Sequence, residues 1–169
     1  MRFTLEELGL HPIVDSKTYS PGALDYRGAE FRQIAPLKVN AVAELKGAEI
    51  HVRGHLETSL EGCCDRCLGS VVIPVGRDFD LFYRPASTIA RAEEVKLPEG
   101  ELEVGFFSGD GIELADVVTE QVILSLPMKV VCKADCRGLC PVCGANLNLE
   151  KCGCLPTAEN SPFSSLKKG

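Results

Sequence analysis

The sequence predicts an α+β protein: an antiparallel β-sheet or partial barrel with one main helix, followed by a Cys-rich, metal-binding C-terminal segment. Three observations carry that expectation. Apolar and polar residues alternate across 36–60, one stretch ending at Pro127 has helical periodicity, and five of the nine cysteines fall within CRGLCPVCGANLNLEKCGC, residues 136–154. A chain of 169 residues that is 45% hydrophobic can bury a core without cross-links. The expected organisation is a β-rich domain over 1–127 with its main helix at 111–126, a metal-binding segment over 128–154, and a disordered tail over 155–169.

In chain order, TLEELGLHP reads as a short helix or strand, and DSKTYSPGALDYRG as loop, with Pro21-Gly22 as turn chemistry. A β-hairpin follows. Leu37, Val39, Ala41, Ala43 and Leu45 are apolar at alternate positions, and Lys46-Gly47-Ala48-Glu49 supplies the turn. Ile50, Val52, Leu56 and Leu60 then alternate with His51, Arg53, His55 and Glu57, which places both histidines on the exposed polar face.

SVVIPVGRDFDLFYR is a third strand region, in which Pro74 and Gly76 suggest a bend or bulge. Residues 85–100 read as an exposed loop and ELEVGFF, 101–107, as a strand. Asp110 and Glu113 resemble a capping box. Leu114, Val117, Val118, Val122 and Leu126 then share one helical face until Pro127 stops the helix.

The beginning, MRFTLEELGL, lacks the basic flank and apolar run of a signal peptide, and no apolar stretch is long enough to cross a membrane as a helix. A cytoplasmic protein is expected, with no membrane partner. In a reducing compartment clustered cysteines point to metal or redox work. An odd number of them, nine, also excludes a fully paired disulfide framework within one chain.

CPVCG is the most informative piece. A Cys-x-x-Cys-Gly turn aims two sulfurs at one ion while backbone N–H groups hold the thiolates charged. Cys140 and Cys143 are therefore candidate metal ligands. Cys152 and Cys154 can complete a compact site if the chain bends at Gly153. Cys64, Cys67, Cys132 and Cys136 offer a second quartet, which would pin the C-terminal segment to the β-domain and leave Cys63 spare. Spacing alone leaves two alternatives open: two tetrahedral sites, or one site with the remaining thiols free. The expected cofactor is zinc, one or two ions, in a closed all-thiolate shell; four-thiolate sites also hold iron–sulfur clusters.

The chemical rival is a thiol–disulfide oxidoreductase or redox sensor, since CDRC and CPVC both carry Cys-x-x-Cys, although neither sits in a predicted βαβ unit. There is no phosphate-binding glycine loop, no supported Ser/His/Asp arrangement and no paired carboxylates in a recognisable setting. The sequence thus points to no enzyme and no small-molecule substrate. The net charge of −6 argues against a nucleic-acid-binding surface over the whole molecule. Lys129, Lys133, Arg137 and Lys151 nevertheless cluster around the C-terminal cysteines and are candidate RNA-phosphate contacts.

The ordered set CDRCL at 64–68, EQVILSLPM at 120–128, CKADCRGLCPVCGANLN at 132–148 and the CGC after it resembles the YceD-like family of large ribosomal RNA subunit accumulation proteins. The resemblance spans roughly residues 35–154. Gly138, Leu139, Cys140, Pro141, Cys143, Gly144, Asn146, Leu147 and Asn148 stand in the family's pattern, whereas Cys63 and the residues after 154 are local additions. It implies a non-enzymatic role in the accumulation of 23S ribosomal RNA and in large-subunit assembly. Ribosomal RNA or a ribosomal protein of the large subunit is the expected partner. A rival within that setting is an adaptor whose acidic β-face docks a basic ribosomal protein without touching RNA. Asn146 and Asn148 are expected to cap turns.

Overall fold

The structure, a computed structural model, describes residues 1–88 and 104–154. The chain divides into two compact units, one of Met1–Glu61 with Val72–Pro127, the other of Gly62–Val71 with Met128–Gly169.

The first unit is built on strands. A two-stranded antiparallel sheet pairs β1 (Arg2–Thr4) with β8 (Gly111–Glu113). A six-stranded sheet runs in the order β2 (Ile13–Tyr19), β4 (Leu37–Lys46), β5 (Glu49–Cys63), β6 (Ser70–Pro85), β7 (Val104–Phe107), with the short β3 (Arg32–Gln33) pairing β5 off this path. The sheet is mixed rather than wholly antiparallel, because β7 pairs parallel to β6. Among the described residues it is not a closed barrel: β2 and β7 end the strand order. Among the described residues the unit also has one short α-helix, α1 (Leu5–Leu8), a 3-10 turn at Ala86–Thr88, and one main helix, α2 (Leu114–Leu124).

The hairpin forms as its alternation predicts. Leu37, Val39, Ala41 and Ala43 are buried on β4, and Ile50, Val52, Leu56 and Leu60 on β5, with the register Leu45↔Ile50 and Val39↔Leu56. The turn between them passes through Gly47 at φ 65. At Gly54 a Cβ would collide with the Asn40 carbonyl and the Phe79 ring, so only glycine lets β5 lie this close to its neighbours.

Three expectations are corrected. Asp15–Tyr19 belong to strand β2, not to a loop, because β2 pairs with β4 from Ile13↔Ala43 to Tyr19↔Leu37. Asp110–Glu113 is not a capping box: Asp110 pairs with Arg2 at 2.5 Å, Gly111–Glu113 are strand, and the helix begins at Leu114 with no side-chain cap. Pairing with β1 takes the residues that would have formed the first helical turn. His51 is buried, 4% exposed, not on a solvated face. Glu44 and Asp80 bracket its two ring nitrogens at 2.9 and 2.5 Å, and the Phe82 ring stacks on it at 4.3 Å.

α2 buries Leu114, Val117, Val118 and Val122 of the expected apolar face, but the helix ends at Leu124 and not at 126, so Leu126 lies beyond it and is only half-buried. Arg77 of β6 donates to the Leu124 carbonyl at the C-terminal end of α2, where a cation is favoured. Glu101–Glu103, most of the 85–100 loop and the tail from 155 lie outside the described residues. No described helix is long and apolar enough to cross a membrane.

Candidate metal centre

The second unit contains all nine cysteines, eight of them in two groups of four. Cys64, Cys67, Cys132 and Cys136 form one, and Cys140, Cys143, Cys152 and Cys154 the other; within each, the sulfurs all lie within 4.8 Å of one another. We call these the inner and outer quartets. Cys63 joins neither and is exposed.

Each quartet is nucleated by a turn. Cys64 follows β5, and the chain turns back so that Leu68 N donates to Cys64 O at 2.9 Å and Cys64 N to Gly69 O at 2.8 Å. In the outer quartet Gly144 N donates to Cys140 O at 2.9 Å. The residue after the second cysteine has positive φ in both turns, 58° at Leu68 and 74° at Gly144. The second unit is tied together by long-range backbone pairs. Asp65 N donates to Val130 O at 2.8 Å, Val130 N to the Asp65 carboxylate at 2.6 Å, and Leu139 N to Arg66 O at 3.1 Å. The Arg66 guanidinium adds a bond to Cys136 O at 3.0 Å.

The donor geometry fits a tetrahedral ion. Four sulfurs about 2.3 Å from one zinc would stand about 3.8 Å apart. Cys64 and Cys136 sulfurs are 3.9 Å apart, and those of Cys67 and Cys132 are 3.7 Å apart. A disulfide would need about 2.05 Å. The inner group is the more enclosed: Cys64, Cys67 and Cys136 are buried with Val71 and Val131 packed against them. In the outer group only Cys140 is buried.

Backbone N–H groups point at the sulfurs. Cys132 N donates to Cys64 Sγ at 3.3 Å. That bond, with those from Arg66 and Cys67 N–H, brings the Cys64 thiol down to about 6 against the opposing effect of burial. Cys140 is likewise brought down to about 6 by the N–H groups of Cys143 and Val142. Cys132 is pushed up to about 12, first by its hydrogen bond with Cys136 and then by burial, and Cys154 to about 12, first by its bond with Cys143. Against burial, Asn148 and the Gly138 N–H bring Cys136 down as well, so the inner quartet sets two lowered thiols, Cys64 and Cys136, beside two raised ones, Cys67 and Cys132, and the outer quartet sets the lowered Cys140 beside the raised Cys152 and Cys154. A divalent cation would supply positive charge that favours the thiolate forms.

The Cys-x-x-Cys turns lie in loops, not at a helix N-terminus. The four basic candidates, Lys129, Lys133, Arg137 and Lys151, are all exposed residues of this unit. Lys133 faces Asp135 at 3.8 Å, and Arg137 reaches the Leu147 carbonyl at 3.4 Å.

The sequence reading missed one participant. Asn146 caps a turn as expected, accepting from Asn148 N at 3.0 Å, but the Asn148 amide donates to Cys136 Sγ at 3.4 Å. The ANLN run carried the signal, an amide a few residues from clustered cysteines; its target lies twelve positions upstream and is visible only in the fold.

A family model described as "Large ribosomal RNA subunit accumulation protein YceD" matches residues 52–168, a stretch that includes both quartets. The chain is 31% identical over 136 residues to an uncharacterized protein of Mycobacterium tuberculosis, covering 78% of this chain and 61% of the relative. It is 37% identical over 176 residues to the "Large ribosomal RNA subunit accumulation protein YCED homolog 1, chloroplastic" of Arabidopsis thaliana, covering 87% of this chain and 49% of that one. The Zea mays protein of the same description is 25% identical over 184 residues, covering 90% and 62%. The chain thus spans between about half and three fifths of the length of these relatives. No solved structure matches it. On the family match across more than half of its length, the chain belongs to the YceD family of large ribosomal RNA subunit accumulation proteins.

Proposed function

We propose that this protein is a non-enzymatic, cytoplasmic ribosome-biogenesis factor that supports accumulation of 23S ribosomal RNA and assembly of the large subunit, with structural zinc in both cysteine quartets. The observation that carries the metal part is the pair of all-cysteine groups with sulfur separations suited to a tetrahedral ion. The family supports the ribosomal part. Zinc held by Cys64, Cys67, Cys132 and Cys136, and by Cys140, Cys143, Cys152 and Cys154, has four protein ligands and no open position. It supplies folding energy rather than a Lewis acid for chemistry. Lys129, Lys133, Arg137 and Lys151 then present positive charge from a metal-stapled unit to RNA phosphates.

Crosslinking in cells, followed by sequencing of the bound RNA, tests this. Large-subunit ribosomal RNA should be enriched, and changing the four basic residues to Glu should remove the enrichment. No enrichment over a control protein would contradict direct RNA contact.

A second reading has its own observation. The described residues of the first unit carry fifteen Asp and Glu against nine Lys and Arg, while those of the second carry three against five. That acidity suits an adaptor for a basic ribosomal protein. Ribosomal proteins retained on the tagged chain after nuclease treatment would favour it.

A further inference from the structure

The loop that belongs to the outer quartet also reaches the inner one. Asn148 lies between Cys143 and Cys152, both outer cysteines, and its Nδ2 donates to the inner cysteine Cys136 at 3.4 Å. The same Nδ2 donates to Asn146 Oδ1 at 3.0 Å, while Asn148 Oδ1 accepts from Arg137 N at 2.9 Å. A backbone N–H can only donate, so the atom it meets is the amide oxygen and the atom on sulfur is the NH₂ group.

The placement of Asn148 is a property of the whole 138–150 segment. Cys140 N donates to Ala145 O at 2.8 Å, Leu147 N to Gly138 O at 3.0 Å and Glu150 N to Asn146 O at 3.1 Å. Leu139 and Asn146 also form an antiparallel bridge. Cys140 and Cys143 sit at the start of this segment, and Cys152 and Cys154 just after its end. An ion at the outer quartet joins those two ends and so narrows the conformations open to the loop between them. The loop it narrows is the one that holds an N–H group on a thiolate of the other quartet. Such donors favour the ionised sulfur and orient it as a ligand, and their loss typically costs ten- to a hundredfold in metal affinity.

We propose that the two quartets are energetically coupled through Asn148, a positioning residue, so that metal in the outer quartet raises the affinity of the inner one. Coupling of this kind is reciprocal: filling the inner quartet raises outer affinity by the same factor. The inference rests on the reading that both quartets bind an ion.

Cobalt(II) is the probe, because tetrahedral thiolate coordination gives it strong charge-transfer and d–d absorption. Reduced, metal-free full-length chain is titrated without oxygen, and protection of Cys64 and Cys67 from alkylation reports the inner quartet. Replacing Cys152 and Cys154 by Ser disables the outer quartet and should lower inner affinity about tenfold. Asn148→Ala should give a loss of similar size, and adding it to the Cys152→Ser, Cys154→Ser chain should cost nothing more. Unchanged inner affinity in the double-Ser chain, or losses that multiply in the triple variant, would overturn the coupling.

If Asn148→Ala loses the native far-UV circular dichroism, the unmodified chain decides. At one equivalent of cobalt, coupled quartets place more chains in the doubly loaded class than independent filling permits, and a distribution matching independent filling overturns the proposal. Absence of tetrahedral cobalt absorption in the native chain would overturn the metal reading itself, and the coupling with it.

Discussion

Leu68 and Gly144 occupy the same place in two turns, each following the second cysteine of a Cys-x-x-Cys, with φ of 58° and 74°. Glycine is at ease there and leucine is not. Leu68 is 66% exposed, so its burial repays little of the backbone strain. Leu68→Gly should therefore stabilise the metal-loaded chain, by about 0.5–1 kcal/mol after the entropic cost of glycine in the unfolded chain is deducted. Urea unfolding under reducing conditions checks this through a higher midpoint at unchanged slope.

Gly54→Ala should act in the opposite direction. The new methyl would meet the Asn40 carbonyl, the Phe79 ring and Ala41 Cα at once, and two of these are backbone. A loss of about 1–3 kcal/mol is expected from overpacking of this kind. Thermal unfolding of the variant, with a lower melting temperature and unchanged metal content, checks it.

The cysteines should not be equivalent. Cys63→Ser leaves both quartets complete, and metal content should stay as in the native chain. Cys64→Ser removes the most deeply buried of the three buried cysteines in the inner quartet and should cost one ion per chain, read by elemental analysis of protein purified without added metal.

Glu44 gives a pH signature. The hydrogen bond from His51, followed by that from Lys46, holds its carboxyl below the usual 4.5. A depressed carboxylate stabilises the fold above the unfolded value and loses that contribution as pH falls through the folded one. Glu44→Gln should therefore be less stable than the native chain at pH 7, with the difference shrinking as pH falls from the usual 4.5 through the lowered folded value. Urea midpoints across that range are the measurement.

The hairpin was legible because its pattern is local: Leu37 to Ala43 and Ile50 to Leu60 alternate within one pair of adjacent strands. Strand β2 was not. Asp15 and Lys17 share a face with Ile13 and Tyr19, opposite Val14, Ser16 and Thr18, so neither side shows the contrast that marks a strand. His51 defeated the reading for another reason: what buries it includes Asp80, 29 positions away. The membership of the quartets was readable from spacing as one of two alternatives. Cys64 and Cys136, 72 positions apart, meet only once the chain has folded.

Native mass spectrometry of the reduced full-length chain, purified without added metal, weighs the ions directly. Two divalent ions per folded chain are expected, both lost when all eight quartet cysteines are alkylated. A folded chain at the mass of the polypeptide alone, with a melting temperature unmoved by chelator, would contradict it.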